Sequence, residues 1–223
     1  MDPRGDVQRP ARGRGGGGPA GRAGLRGEAV RSPCLDRADE ADRSSLISAD
    51  RHLERWVVHH RTGWLNPVFE GLSWAGRLGL LWIALALLLS VLWRRWGVLF
   101  MTLFAVAVSD WLAMGLKALV DRPRPPLRYV EPKVLVPLPH DASFPSGHAA
   151  TSFAAATMLS FASPRLAPIF YLLATAVAFS RVYVGVHYPL DVIGGAALGT
   201  LVALGVRYVV RRTGRVSRAA ALR

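Results

Sequence analysis

Five apolar stretches follow one another along the chain, at about 77–93, 97–120, 148–163, 167–186 and 190–210. Crossing the hydrocarbon core of a bilayer takes about 20 helical residues. The second, fourth and fifth stretches meet that length, and the first and third need their polar flanks to complete a span. Inside lipid, each backbone N–H and C=O must find its partner within the protein, and a helix achieves this segment by segment. The expected fold class is therefore all-α: a polytopic transmembrane helical bundle of about five spans.

Composition agrees once charge is placed along the chain. Mean hydropathy is +0.25, yet the formal net charge is +13. Both hold because apolar mass and arginines are segregated, with arginines at the two ends. Such a basic chain could bind nucleic acid. Long apolar runs favour basic flanks at an anionic lipid surface instead, so the expected partners are membrane lipids and no nucleic acid. Cys34 is the single cysteine. It allows no internal disulfide and no zinc cluster.

Three segments follow from the patterning. Residues 1–45, rich in Gly, Arg and acidic residues, lack an apolar period and are expected to be a disordered tail. They hold no h-region of a signal peptide, and their composition also resembles translated upstream DNA. Residues 46–210 form the membrane domain, and 211–223 a basic cytoplasmic tail. At the start of the domain, Leu53, Trp56, Val57 and His60 share a helical face. This predicts an N-terminal interfacial amphipathic helix over 46–74, with a turn at Asn66-Pro67. Gly195 and Gly199 form a GxxxG, which predicts close helix packing inside the bundle.

Alternation of five spans sets the topology. The 121–147 loop and the 187–191 junction fall on one side. The Arg94-Arg95 and Arg165 turns and the tail arginines fall on the other, which the positive-inside rule makes cytoplasmic. The polar loop then faces the extracytoplasmic side of the cell membrane.

Charged residues at the edges of spans are costly and usually functional. Lys117 closes the second stretch, followed by Asp121-Arg122-Pro123-Arg124-Pro125. Pro145-Ser146-Gly147-His148 opens the third, Ser180-Arg181 lies late in the fourth, and His187 and Asp191 bracket the start of the fifth. All four places map to one membrane face. Lys117, Arg124 and Arg181 around one point call for an anion with several oxygens, which means phosphate. With Pro145 in a first helical turn, the amides of Ser146, Gly147 and His148 are expected to aim at that anion. Of the two histidines, one can attack phosphorus and the other protonate the leaving oxygen. Asp191, four residues from His187, can hold its ring. Asp110 in the second stretch has no assigned role, and His52, His59, His60 and His140 are expected at surfaces.

Lys117-x6-Arg124-Pro125, then Pro145-Ser146-Gly147-His148, then Ser180-Arg181-x5-His187-x3-Asp191 resembles the three-part signature of the type 2 phosphatidic acid phosphatase superfamily, which also contains vanadium haloperoxidases. The likeness spans about 46–210 and matches every signature position in order. It implies His187 as the nucleophile forming a phosphohistidine, Asp191 as its orienting partner and His148 as general acid. It implies Lys117, Arg124, Ser146, Gly147 and Arg181 as the phosphate cradle, with Arg122 a secondary candidate. The implied protein is an integral membrane phosphatase acting on a lipid phosphate monoester or diphosphate, of polyprenyl diphosphate or phosphatidic-acid type. No cofactor and no metal are implied. Several spans weigh against the haloperoxidase alternative, whose members are usually soluble.

Overall fold

The computed structural model describes residues 33–129 and 131–220. The tail expected at 1–32, and residues 221–223, lie outside the described residues. Residues 33–40 belong to a first unit, and Ala41–Arg223 forms a second unit that holds the whole bundle.

Helices are the regular elements of the described residues, with no strand among them. Seven α-helices follow in order: α1 Pro33–His59, α2 Asn66–Ala75, α3 Leu80–Trp93, α4 Trp96–Val120, α5 Gly147–Ala162, α6 Ala167–Tyr183 and α7 Pro189–Ala220. Single 3-10 turns precede α2, α3 and α6. Left-handed residues Arg94 and Asp121 end α3 and α4 and turn the chain out of the helix.

Helix α5 is the centre of the bundle and packs against α4, α6 and α7. Its sequence explains this. Ala149, Ala150, Ala154, Ala155 and Ala156 are fully enclosed, and small side chains let neighbouring backbones approach. The approach is closest on α7, where a Cβ at Gly195 would overlap the Ser146 carbonyl and one at Gly199 the Ala150 carbonyl. The GxxxG thus packs within the chain, as its pattern predicts. Trp82 of α3 fills the other flank, donating from Nε1 to Ser152 Oγ at 2.9 Å.

Three helical segments are long and apolar enough to cross a membrane: Trp96–Leu127, Pro164–Tyr183 and Pro189–Thr213. A fourth span results if α2 and α3, bent by 68°, act as one. The expected third span is different in kind. At 16 residues, α5 rises only about 24 Å, and protein encloses it. The large apolar side chains on α4, α6 and α7, including Phe100, Phe104, Leu172, Ile193 and Leu201, point outward instead.

The N-terminal region departs from expectation in two ways. Helix α1 starts at Pro33, so residues 33–45 are helical rather than disordered. Ala, Leu, Glu and Arg in that stretch are good helix formers. Asn66-Pro67 starts α2 rather than forming a turn, because proline suits the first helical turn, where no N–H is needed. On α1, Asp50, Glu54, Val57 and Val58 are buried, whereas Leu53 and Trp56 are half exposed or more. Asp50 turns inward because a buried partner awaits it. Asp50 Oδ1 accepts from the Leu190 amide at 2.8 Å.

At the far end of α1, Arg61 fixes the turn. Its Nε donates to the Tyr183 carbonyl at 2.7 Å and its Nη1 to the Lys133 carbonyl at 2.8 Å. The guanidinium lies over Gly185, whose φ of 83° and missing Cβ leave room for it. That glycine sets the bend leading to His187. The expected tail at 211–223 continues α7 as far as Ala220.

Candidate active site

Four chain segments meet at one end of the bundle: the end of α2 with the turn after it, the end of α4 with its following loop, the start of α5, and the end of α6 with the α6–α7 junction. Between them lies a cavity of about 550 Å³. Lys117, Arg124, Gly147, His148, Arg181 and His187 all line it. The convergence expected from alternation is therefore present in three dimensions.

His187 is buried on the short link between α6 and α7, 2% exposed. Its Nδ1 faces inward, 3.5 Å from Asp191 Oδ2 and 3.5 Å from Ser143 Oγ. Its Nε2 lies 3.1 Å from Arg124 Nη1. A guanidinium only donates, so Nε2 accepts and the ring proton sits on Nδ1. Burial, with Arg124 and Arg181 nearby, lowers the His187 pKa to about 3 against the opposing pull of Asp191. The ring is neutral at neutral pH.

Asp191 is fully buried behind His187 rather than on the cavity wall. In the first turn of α7, its Oδ2 accepts from Ser143 Oγ and from the Tyr188 amide at 2.9 Å. Its Oδ1 accepts from Arg122 Nη1 at 2.5 Å. Arg122 then reaches Asp50 Oδ2 with Nη2 at 2.6 Å and stacks on Tyr188, 4.2 Å from the ring centroid. Arg122 does not line the cavity. It braces the carboxylate from behind and is not part of a cradle.

Arg124 is the most heavily engaged cation. Its Nε donates to the Asp141 carbonyl at 2.8 Å, Nη1 to the Val186 carbonyl at 2.9 Å and Nη2 to Asp141 Oδ1 at 2.7 Å. Lys117 pairs with the other oxygen of the same carboxylate. With these two cations as partners, the Asp141 carboxyl sits at about 2 despite partial burial. Arg181 donates from Nη1 to Ser73 Oγ, and its Nε is buried with no hydrogen-bond partner among the described residues.

At the start of α5, Ser146 is the cap and Pro145 lies outside the helix, not in its first turn. The Ser146 amide donates to the Asp191 carbonyl at 2.9 Å, so it is not aimed at the cavity as expected. Its hydroxyl is buried with no hydrogen-bond partner among the described residues. His148 donates from Nε2 to the Ser73 carbonyl at 3.1 Å, because a carbonyl can only accept. That leaves Nδ1 for other partners.

Sequence reasoning missed Ser73, which touches both Arg181 and His148, and it missed Asp141, Ser143 and Asp50. Ser73 carries no sequence signal. Asp141 could have been suspected as an acid in a loop otherwise devoted to cations. Asp110, left without a role, lies on the cavity wall together with Glu70, Arg77 and Trp74. Of the surface histidines, His140 is exposed yet also lines the cavity. Among the described residues, no three His, Cys, Asp or Glu side chains gather as a metal site.

Fold and site define a helical membrane protein with a cationic cavity at one end of its bundle, lined by His148 and His187 among others. The model of the PAP2 superfamily matches residues 94–215. The chain is 34% identical to an undecaprenyl-diphosphatase of Sulfolobus acidocaldarius over 161 residues, covering 70% of this chain and 76% of that protein. It is 38% identical to a decaprenylphosphoryl-5-phosphoribose phosphatase of Mycobacterium tuberculosis over 137 residues, 60% of this chain and 73% of the relative. The crystal structure of LpxE from Aquifex aeolicus superposes with a TM-score of 0.63 at 30% identity, covering 70% of this chain and 93% of that one. This chain belongs to the PAP2 superfamily.

Proposed function

We propose that this protein hydrolyses a lipid-linked phosphate monoester or diphosphate through a phosphohistidine on His187, without a metal. One observation carries the reading above the others. An unprotonated His187 Nε2 lies beside Arg124 on the wall of a cavity that also holds Lys117, Arg181 and His148.

In the proposed reaction His187 Nε2 attacks phosphorus, and the bond from phosphorus to the lipid oxygen breaks. A substrate phosphate beside His148 favours the doubly protonated ring, which keeps Nε2–H on the Ser73 carbonyl and delivers its Nδ1 proton to that oxygen. Asp191 stabilises the positive charge that develops on the His187 ring. His148 then takes a proton from water, the water oxygen attacks phosphorus, and the P–N bond breaks to release inorganic phosphate. Lys117, Arg124 and Arg181 hold the equatorial oxygens, and the unpartnered Arg181 Nε suits that task. Gly147 leaves the wall of the cavity free of a side chain, and Ser146 offers a hydroxyl with no hydrogen-bond partner among the described residues.

The relatives named above act on polyprenyl diphosphate and polyprenyl-linked phosphoribose by their names. Polyprenyl diphosphate and phosphatidic-acid-type lipids are thus the substrate classes to test. We assign the catalytic domain to 46–210, five spans by counting α2–α3 and α5 with the three long helices, and the site to the extracytoplasmic face. The short-loop arginines support that orientation. A cysteine at Lys133 in a Cys34→Ser background tests it: labelling by an impermeant thiol reagent in intact cells is expected, and labelling only after lysis reverses the topology.

The function itself is tested by phosphate release from phosphatidic acid, polyprenyl diphosphate and polyprenyl monophosphate, using purified protein in detergent with and without EDTA. Release on at least one lipid, unaffected by EDTA, is expected. No release on any lipid overturns the reading, and activity lost to EDTA and restored by magnesium overturns the metal-free mechanism.

A further inference from the structure

The anion-binding cations of the cavity already hold an anion, and it belongs to the chain. Asp141 places one carboxylate oxygen on Lys117 and the other on Arg124 Nη2 at 2.7 Å. A carboxylate and a phosphate present similar pairs of oxygens to such donors. Asp141 is unlike the other acids of the site. Asp191 is fully enclosed, whereas the Asp141 side chain is 49% exposed. It sits on the irregular stretch between Arg128 and Ser146, at the end of the Val136–His140 run that forms one wall of the cavity. Its backbone is tied down by Arg124 Nε, so the side chain can swing away while the loop stays.

We propose that Asp141 is an internal competitor for the phosphate cradle, which the substrate phosphate must displace and which returns when product leaves. This rests on the phosphatase reading of the same cavity. The consequence is selectivity. Free phosphate gains little beyond what Asp141 already supplies to Lys117 and Arg124, so it binds weakly. A lipid phosphate adds contacts of its lipid portion with the cavity's apolar wall, including Trp74, Ala113 and Met114, and those contacts offset the loss of the Asp141 pairs. The same competition hastens release of the phosphate product. Charge repulsion points the same way: a dianion entering beside an unmoved Asp141 carboxylate meets a like charge across two shared cations.

The test is the affinity of inorganic phosphate and of orthovanadate for the purified full chain in detergent. It is read by calorimetry, so that turnover is not needed. Asp141→Asn is expected to tighten both anions by about 10-fold, the scale of one charge-assisted bond freed from competition. Asp141→Glu, which keeps the charge, is expected to stay near the parent value. Thermal unfolding without ligand establishes that each variant is folded, and Asp141→Ser serves if the asparagine variant is not. Unchanged or weaker anion binding in folded Asp141→Asn overturns the proposal and makes Asp141 a mere brace for Lys117 and Arg124. Anion binding that tightens as expected, in a protein that releases phosphate from no lipid, keeps the competitor and removes the phosphatase reading instead.

Discussion

Arg122 Nη1 lies 2.5 Å from Asp191 Oδ1, so the carboxylate that backs His187 is itself held by a cation from the loop after α4. The same guanidinium reaches Asp50 at 2.6 Å. Three elements far apart in sequence thus fix one imidazole: α1 through Asp50, the loop through Arg122, and α7 through Asp191.

Removing that brace leaves a buried carboxylate without its partner, which typically costs about 3–5 kcal/mol. Arg122→Gln should lower kcat on a lipid phosphate by at least tenfold with little change in KM, because Arg122 does not line the cavity. Asp50→Asn should act in the same direction and more weakly. A rise in KM with unchanged kcat for either variant would place Arg122 in substrate binding instead.

Packing of α7 on α5 depends on the missing side chain at Gly199, whose added Cβ would overlap the Ala150 carbonyl. Gly199→Val should lower Tm sharply or prevent recovery of folded protein. Gly205→Ala, with open space around its Cβ position, should leave Tm unchanged or slightly raised. Equal effects at the two glycines would contradict the packing described.

The His187 pKa of about 3, against an ordinary 6.5, has a defined sign for stability. Between these values the unfolded chain holds a proton that the folded chain does not. Stability contributed by this residue is therefore complete above about pH 6.5 and falls as pH drops towards 3. The catalytic counterpart is that kcat/KM, which reports the free enzyme, should show no His187 ionisation between pH 5 and 8. Deuterium-free 15N chemical shifts of the ring across that range should stay at neutral values. A midpoint near 6.5 assigned to His187 would contradict the buried, neutral ring.

Glu54 presents the opposite case. Burial raises its pKa from 4.5 to about 7, and its Oε2 has no hydrogen-bond partner among the described residues. A raised carboxyl lowers stability as pH climbs from 4.5 to 7, because the unfolded chain ionises first. Glu54→Gln should therefore raise Tm at pH 8 and change it little at pH 5. A variant that is less stable at pH 8 would mean that the charge of Glu54 is needed.

Much of the site was legible in advance. Lys117, Arg124, His148, Arg181 and His187 stand at span edges where charge is costly, and counting alternations is enough to bring them together. The GxxxG likewise announced a close contact. What stayed hidden depends on partners distant in the chain. The period marks Leu53 and Trp56 as the apolar face of α1 but does not show that Asp50, Glu54, Val57 and Val58 turn inward. In lipid, apolar side chains can point outward, and Asp50 turns inward because Arg122 and the Leu190 amide receive it. Ser73 was invisible for a similar reason: nothing in a lone serine marks it as the group that touches both Arg181 and His148. The helix over 33–45 was missed because glycine-rich residues upstream coloured the reading of the whole tail.

The central claim is that phosphate passes through His187, and trapping the covalent intermediate tests it most directly. Purified protein is mixed with a lipid substrate carrying 32P in the scissile phosphate, quenched in alkali within milliseconds to seconds, and analysed for protein-bound label. The account predicts an acid-labile, alkali-stable phosphoenzyme that maps to His187. It should be absent in His187→Ala and should accumulate in His148→Ala with an activated aryl phosphate, since water then lacks its base. Turnover retained in His187→Ala, or label recovered on another residue, would contradict it.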